Sequence, residues 1–368
     1  MSINLDIIPL EKWLGVQEVP VVISGPCSAE TEEQVMTTAI EISKIPNVKI
    51  FRAGIWKPRT RPGLFEGVGT KGLIWLQKVK EQTGLLTAVE VANPEHIDLA
   101  LKYNVDILWI GARTVVNPFS LQELANSLNG VDIPVMVKNP VNPDLNLWIG
   151  ALERINLSGI KRLVAIHRGF YFFDKTPYRN APMWEIPIEL KRIIPNLPVI
   201  CDPSHICGER EMLPDVAQKA LDLEMSGLMI ESHINPDNAL TDSQQQITPE
   251  NLSRLISSLI VRKTEGNIDF KGKLEELRTE IDKIDAELIN ILSRRMGLID
   301  EIGKYKKEHD ITILQLKRWS NIVEGRLKAG LESGLKKEFL QKLLEIVHIE
   351  SIQRQTEIYR KSTDQNNN

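Results

Sequence analysis

Between residues 21 and 260, short apolar runs alternate with amphipathic stretches eight times in unbroken order. The apolar runs cover 21–25, 48–53, 85–89, 107–110, 134–138, 162–167, 199–202 and 228–231. Helical periodicity follows each one, near 31–44, 70–82, 94–102, 119–128, 144–156, 183–192, 211–224 and 249–261. Strictly alternating strand and helix signals predict a parallel sheet, and eight such units predict a (β/α)8 TIM barrel rather than a doubly wound sheet. The strands are near-continuous apolar runs, as expected when both faces of a sheet are covered. A barrel of this kind needs about 250 residues. The chain has 368, so a second unit must follow.

That unit begins after a change of pattern. Glu265-Gly266-Asn267 breaks the preceding helix and predicts a linker over 263–270 between a barrel domain, 1–262, and a helical domain, 271–368. No proline occurs from Lys271 onward. Leu274, Leu277, Ile281, Ile284, Leu288, Ile291, Leu292 and Ile299 keep a three-to-four residue spacing, which predicts one very long helix. Two more follow, near 314–330 and 336–360, and the polar tail from Ser362 is expected to fray. Three helices of this kind bury little core alone, so the all-α domain is expected to dimerise, at its simplest as a coiled coil.

A net charge of -4 gives no reason to expect nucleic acid or an anionic membrane as partner. Cys27, Cys201 and Cys207 are too few and too clustered for a disulfide framework, which fits a reducing, cytoplasmic compartment. No signal peptide and no apolar run of about 18 residues is present.

Chemistry-bearing residues collect where barrel strands end. Cys27, His205, Glu231 and Asp242 offer sulfur, nitrogen and two oxygen donors. That mixture suits a borderline divalent metal, manganese first, then iron, cobalt or zinc, better than magnesium or calcium. Taken singly, a buried cysteine is a small hydrophobe and the acid caps a turn; their shared location argues for a ligand set. Arg52, Lys57, Arg59, Arg113, Lys138 and Arg168 lie at the same ends. Repeated cations there predict anion sites for phosphorylated, carboxylated substrates.

Gly-Pro-Cys-Ser at 25–28, Lys-Pro-Arg-Thr at 57–60, Gly-Ala-Arg at 111–113, His-Arg-Gly at 167–169, Asp-Pro-Ser-His at 202–205 and Gly-Leu-Met-Ile-Glu at 227–231 occur together. In these motifs the barrel resembles the 3-deoxy-D-arabino-heptulosonate 7-phosphate (DAHP) synthases, in their short microbial form. The resemblance implies condensation of phosphoenolpyruvate with erythrose 4-phosphate. It implies metal binding by Cys27, His205, Glu231 and Asp242. Arg113, Lys138 and Arg168 would take the phosphoenolpyruvate phosphate, with Arg52 and Lys57 near its carboxylate and reacting carbon. Arg59 and Thr60 would take the phosphate of erythrose 4-phosphate, and Lys57 would deliver a proton to the aldehyde oxygen. Related barrels that use a five-carbon sugar phosphate carry an extra Asn in the motif where Pro58 directly joins Lys57 to Arg59 here, which favours the four-carbon aldehyde. His167 stands where many relatives have Glu; it is expected either to reach a bound water or simply to pack.

The helical segment resembles the all-helical chorismate mutases through Leu-Glu-Glu-Leu-Arg at 274–278, Arg294-Arg295, Gly-Lys-Tyr-Lys at 303–306, Arg318, Ser351 and Gln355. The resemblance implies a dimer in which Arg278 reaches the partner's site. It also implies that Arg295, Lys306, Arg318, Ser351 and Gln355 bind chorismate or prephenate, with Arg295, Lys306 and Gln355 acting in catalysis. Helix geometry agrees in part. At about 100° per residue, Arg295 and Lys306 share an azimuth, whereas Arg278 and Arg295 diverge by about 100°. Positions 315 and 319, often acidic in relatives, are Gln315 and Trp319. The expected whole is a bifunctional enzyme, a homodimer or higher, with no sensor domain ahead of the barrel and with feedback through the mutase domain. The alternatives are a tail that only senses ligand or only dimerises.

Overall fold

The structure, a computed structural model, describes residues 3–15, 20–57, 61, 63–262 and 268–360. It comprises two compact units, Met1–Arg262 and Lys263–Asn368. In the first, eight parallel strands close into a barrel in sequential order: β1 (Val21–Gly25), β2 (Val48–Arg52), β3 (Leu86–Val91), β4 (Ile107–Ile110), β5 (Val135–Lys138), β6 (Leu163–His167), β7 (Val199–Cys201) and β8 (Gly227–Glu231). Closure is made by β1 against β8, paired from Val21↔Gly227 to Gly25↔Glu231.

The period of two along each strand divides its side chains between two cores. Val22, Phe51, Val89, Leu108, Val137, Ala165, Val199 and Leu228 face outward into the layer shared with the helices. Ile23, Ile50, Ala88, Trp109, Met136, Ile166, Ile200 and Met229 fill the barrel. The short helix Leu10–Leu14 closes the interior from the N-terminal side, with Leu10 buried in the inner cluster and Trp13 and Leu14 packed on it. Sequence periodicity gave no sign of that plug. Two further short helices, Ala112–Val115 and Pro203–Cys207, sit in βα loops that the reading from sequence left irregular.

Helix starts follow local chemistry. Thr31, Asn93, Asp144 and Thr248 each accept a hydrogen bond from a first-turn amide, and Pro94 and Pro249 occupy the first helical position, where a missing N–H costs little.

The second unit contains helices Ile268–Glu308, Leu316–Glu332 and Lys337–Arg360. The long helix begins three residues before the expected Lys271, so the linker is shorter than 263–270; residues 263–267 lie outside those described. Its Leu277, Ile281, Ile284, Leu288 and Ile291 are about half exposed, at 49–59%.

Trp148 tests the helix–strand layer. It is fully buried, donates its Nε1–H to the Val137 carbonyl at 3.3 Å and packs edge-on to Phe170. Trp148→Ala should cost the barrel about 3–5 kcal/mol in denaturant unfolding; a loss below about 1 kcal/mol would contradict this packing.

Candidate functional site

The same period of two builds the site. Two residues beyond the last apolar inward side chain, the eight strands supply Gly25, Arg52, Glu90, Gly111, Lys138, Arg168, Asp202 and Glu231 in turn. Three cations and three carboxylates thus ring the top of an apolar barrel. The glycines make room: a Cβ on Gly25 would stand 2.0 Å from the Arg52 carbonyl oxygen, and one on Gly111 would stand 2.1 Å from Glu90 Oε1.

Opposite charges are paired across this ring. Arg52 Nη1 lies 3.0 Å from Glu231 Oε1, with 2% and 0% of the side chains exposed, and the guanidinium covers the Trp109 ring at 4.9 Å. Lys138 Nζ donates to Asp202 Oδ2 at 2.9 Å. The same oxygen lies 2.8 Å from His205 Nδ1, while Asp202 Oδ1 accepts from the His205 amide. Asp202 therefore fixes the imidazole so that Nε2 faces Glu231, 3.8 Å from Oε1.

Cys27, Glu231 and Asp242 place one donor atom each within 4.8 Å of one another. The Cys27 thiol donates to Asp242 Oδ2 at 3.3 Å, and Lys57 Nζ donates to both the Cys27 carbonyl (2.9 Å) and Sγ (3.0 Å). Burial, followed by the Glu231 charge, pushes this thiol up to about 12. Burial would likewise raise the Glu231 and Asp242 carboxyls, but His205 and Arg52 hold the first down, and Arg179 and His205 the second. Burial pushes His205 down and Lys138 adds to this, so the imidazole is neutral at pH 7. One neutral imidazole, two carboxylates and a thiol whose charge a cation would stabilise make a donor set that fits a borderline divalent ion.

Beside it lies a cavity of about 270 Å³. Lys57, Arg113, Lys138, Arg168 and Arg179 line it, with His205 and Asp242 on the metal side. Arg168 stays cationic although burial brings it down to about 10. The cavity thus joins two of the expected metal donors, His205 and Asp242, to four of the expected anion-binding residues, while Cys27 and Glu231 lie outside its lining. Arg52 sits beneath them, paired with Glu231. Arg59 and Thr60, with Pro58, lie outside the described residues.

Sequence reading missed four contributors. Glu90 and Asp202 were legible as the next inward positions after Ala88 and Ile200. Arg179 and Asn180 come from the long β6 loop and had no such signal. Arg179 Nη1 donates to Asp242 Oδ1 (3.1 Å) and Gln245 Oε1 (2.6 Å), supporting the expected donor Asp242, whose backbone is in the left-handed region at φ 49°. Asn180 accepts from Arg168 Nη1 (2.8 Å) and donates to the His205 carbonyl (2.6 Å), tying an arginine expected at the anion site to a histidine expected to hold metal.

For His167 the geometry favours packing, the second of its two expected roles. As the last outward residue of β6 it turns away from the cavity and lies between Phe170 and Trp184, with ring centroids at 5.7 and 5.2 Å. It packs and does not reach a reactant.

In the helical unit, Arg295, Lys306, Arg318, Ser351 and Gln355 line one cavity of about 140 Å³, together with Gln315 and Trp319. Arg295 Nη1 donates to Ser351 Oγ at 2.8 Å, and Gln355 Nε2 donates to the Ser351 carbonyl at 3.0 Å. The buried Gln355 Oε1 has no hydrogen-bond partner among the described residues. Arg278 is absent from the lining and its side chain is 63% exposed.

Residues 9–265 match the family model of the DAHP synthetase I family, and residues 277–356 match that of chorismate mutase type II. A phospho-2-dehydro-3-deoxyheptonate aldolase of Thermotoga maritima is 32% identical over 238 residues, covering 65% of this chain and 68% of that protein. A 2-dehydro-3-deoxyphosphooctonate aldolase of Geobacter metallireducens is 29% identical over 266 residues, covering 67% of this chain and 93% of its own. The crystal structure of the Thermotoga DAHP synthase superposes with a TM-score of 0.58 at 29% identity, covering 64% of this chain and 67% of that one.

Burial pushes the His167 imidazole down to about 3, with Arg168 adding to the effect and the Pro182 carbonyl and Asp202 opposing it. A histidine depressed from 6.5 favours the folded state fully above that pH and loses this contribution as pH falls toward 3. His167→Leu should therefore lose stability less steeply than wild type between pH 6.5 and 4, by up to about 1.4 kcal/mol per pH unit, in urea unfolding. Parallel pH profiles would contradict a buried neutral His167.

Proposed function

We propose, for a chain that belongs to the DAHP synthetase I family and carries a type II chorismate mutase domain, that the barrel condenses phosphoenolpyruvate with erythrose 4-phosphate and the helical domain converts chorismate to prephenate. One observation carries the barrel reading: Cys27 and Glu231 converge with Asp242, and Asp242 and His205 line a cavity that five cations also line. A divalent ion held by Cys27, His205, Glu231 and Asp242 would supply Lewis acidity at the aldehyde oxygen.

The chain's own groups do the rest. Arg113, Lys138 and Arg168 hold the phosphoenolpyruvate phosphate, and Arg52 and Lys57 orient its carboxylate end. Binding energy at these remote groups places the enol carbon against the aldehyde carbon. Burial opposes the charge on Lys57, but Cys27 and Glu231 keep its pKa above the usual lysine value. Lys57 Nζ is therefore protonated and able to give a proton to the aldehyde oxygen as the carbon–carbon bond forms. Water adds to the neighbouring carbon and inorganic phosphate leaves. Arg59 and Thr60 are assigned to the aldehyde's phosphate from sequence. Barrel relatives named for the octonate product are similar to this chain as well. The direct Lys57-Pro58-Arg59 junction favours erythrose 4-phosphate over arabinose 5-phosphate, and rates with the two aldehydes decide it.

Chorismate rearranges within itself, so its site needs no nucleophile. Arg295 and Arg318, with Ser351, hold the carboxylates, and Lys306 and Gln355 stabilise negative charge on the breaking ether oxygen. The exposed Leu277–Ile281–Ile284–Leu288–Ile291 stripe supports a homodimer in which Arg278 serves the partner's site. Prephenate, with chorismate second, is proposed to inhibit the synthase through this domain.

Lys57→Ala should lower synthase turnover by about 10²–10⁴ and leave chorismate conversion intact. Arg295→Ala should do the reverse, by about 10²–10³. Loss of one activity in both variants would overturn the assignment. Mixing inactive Arg278→Ala and Arg295→Ala chains should restore about one quarter of mutase activity, because each mixed dimer regains one intact site. No recovery on mixing would refute the shared site.

A further inference from the structure

The helical cavity holds more positive charge than its assigned residues supply. Arg326 from the helix Leu316–Glu332 and His348 from Lys337–Arg360 line it beside Arg295 of the long helix. With Lys306 and Arg318 this makes five basic side chains, and among the described residues no Asp or Glu lines the cavity. Ile299, Ile302, Ile322 and Ile352 form much of the remaining wall. Like charges against an apolar wall repel more strongly than in water, and an anion among them relieves that repulsion.

These basic side chains fall into two groups by mutual influence. Burial lowers Lys306 and Arg318 adds to it; burial lowers Arg295 and Arg326 adds to it; burial lowers His348 and Arg295 adds to it. Lys306 and Arg318 are therefore one neighbourhood, and Arg295, Arg326 and His348 another. His348 is also held in place. Its ring stacks on Trp319 with centroids 3.6 Å apart and planes 10° from parallel. That contact fixes the plane in which its N–H can point, which a solvated histidine does not have.

We infer that Arg326 and His348 join Arg295 in a carboxylate subsite of this cavity, built by all three helices of one chain. The subsite takes one carboxylate of a small cyclic dicarboxylate, and the Lys306–Arg318 neighbourhood takes the opposite side of the same ligand. The inference rests on the chorismate reading above and adds two binding residues to it. Arg326 brings a fork-shaped pair of donors, and His348 a single donor whose stacking partner closes the pocket wall behind the ligand.

The test is calorimetric titration of the intact chain with prephenate, which has two carboxylates and is not consumed by the forward reaction. Arg326→Ala and His348→Phe should each raise the dissociation constant about tenfold, as expected when one charge-assisted hydrogen bond is lost. Phenylalanine keeps a flat ring against Trp319 and removes only the N–H, so packing alone would leave affinity unchanged in that variant. Arg326→Ala should also flatten the decline of affinity with salt. Wild-type affinity in either variant overturns the subsite as stated. If Arg295→Ala still weakens binding in that case, the chorismate reading survives. Absence of saturable prephenate binding by the wild type sinks both.

Discussion

Arg52 and Glu231 face each other at 3.0 Å across the top of the barrel, almost entirely out of water. An isolated charge at that depth would cost several kcal/mol, and removing one partner of such a pair typically costs about 3–5 kcal/mol. The rim is therefore workable only as a matched ring. Arg52 neutralises Glu231, Lys138 neutralises Asp202, and Asp202 orients His205. Each of these contacts serves stability and site geometry together. Arg52 holds the Glu231 carboxyl down, and Lys138, which also lines the cavity, pairs with the Asp202 that aims His205.

The loops then add what the strand ends cannot. Arg179 and Asn180 reach back from the β6 loop to Asp242, Arg168 and the His205 carbonyl. The loop after β8 returns Gln245 to Glu231 and Gln246 to the Cys27 amide. The expected donors from three strand ends, with Arg168 from a fourth, are thereby cross-braced by amide and guanidinium groups. Such supporting contacts are what give a metal or anion site its precision.

Much of this was legible in the sequence because the alternation of apolar runs with helical stretches is strong. Near-continuous apolar runs in strict alternation with helical stretches placed the eight strands, and the residues just past those runs named the expected metal donors and most of the cations at the rim. Glu90 and Asp202 were equally legible by the same rule but escaped notice, since a lone acid after a strand also reads as a helix cap. Asp202 does cap Pro203–Cys207 as well. Arg179 and Asn180 were not legible, because contacts made by an irregular loop leave no periodic trace. The inward plug Leu10–Leu14 escaped for the same reason: five residues are too few to establish a helical stripe. In the helical unit, spacing along one helix aligned Arg295 with Lys306. Arg326 and His348 entered the cavity from other helices, and only packing brings those faces together.

The central claim is that Cys27, His205, Glu231 and Asp242 form one metal site at the barrel rim. Cobalt(II) titration of the purified chain tests it most directly, with absorption read in the thiolate-to-metal charge-transfer region. One equivalent of cobalt per chain should produce that band, and Cys27→Ala should abolish it while the fold, followed by circular dichroism, is retained. A charge-transfer band that persists unchanged in Cys27→Ala would contradict the account, as would stoichiometric cobalt binding in which Cys27 takes no part.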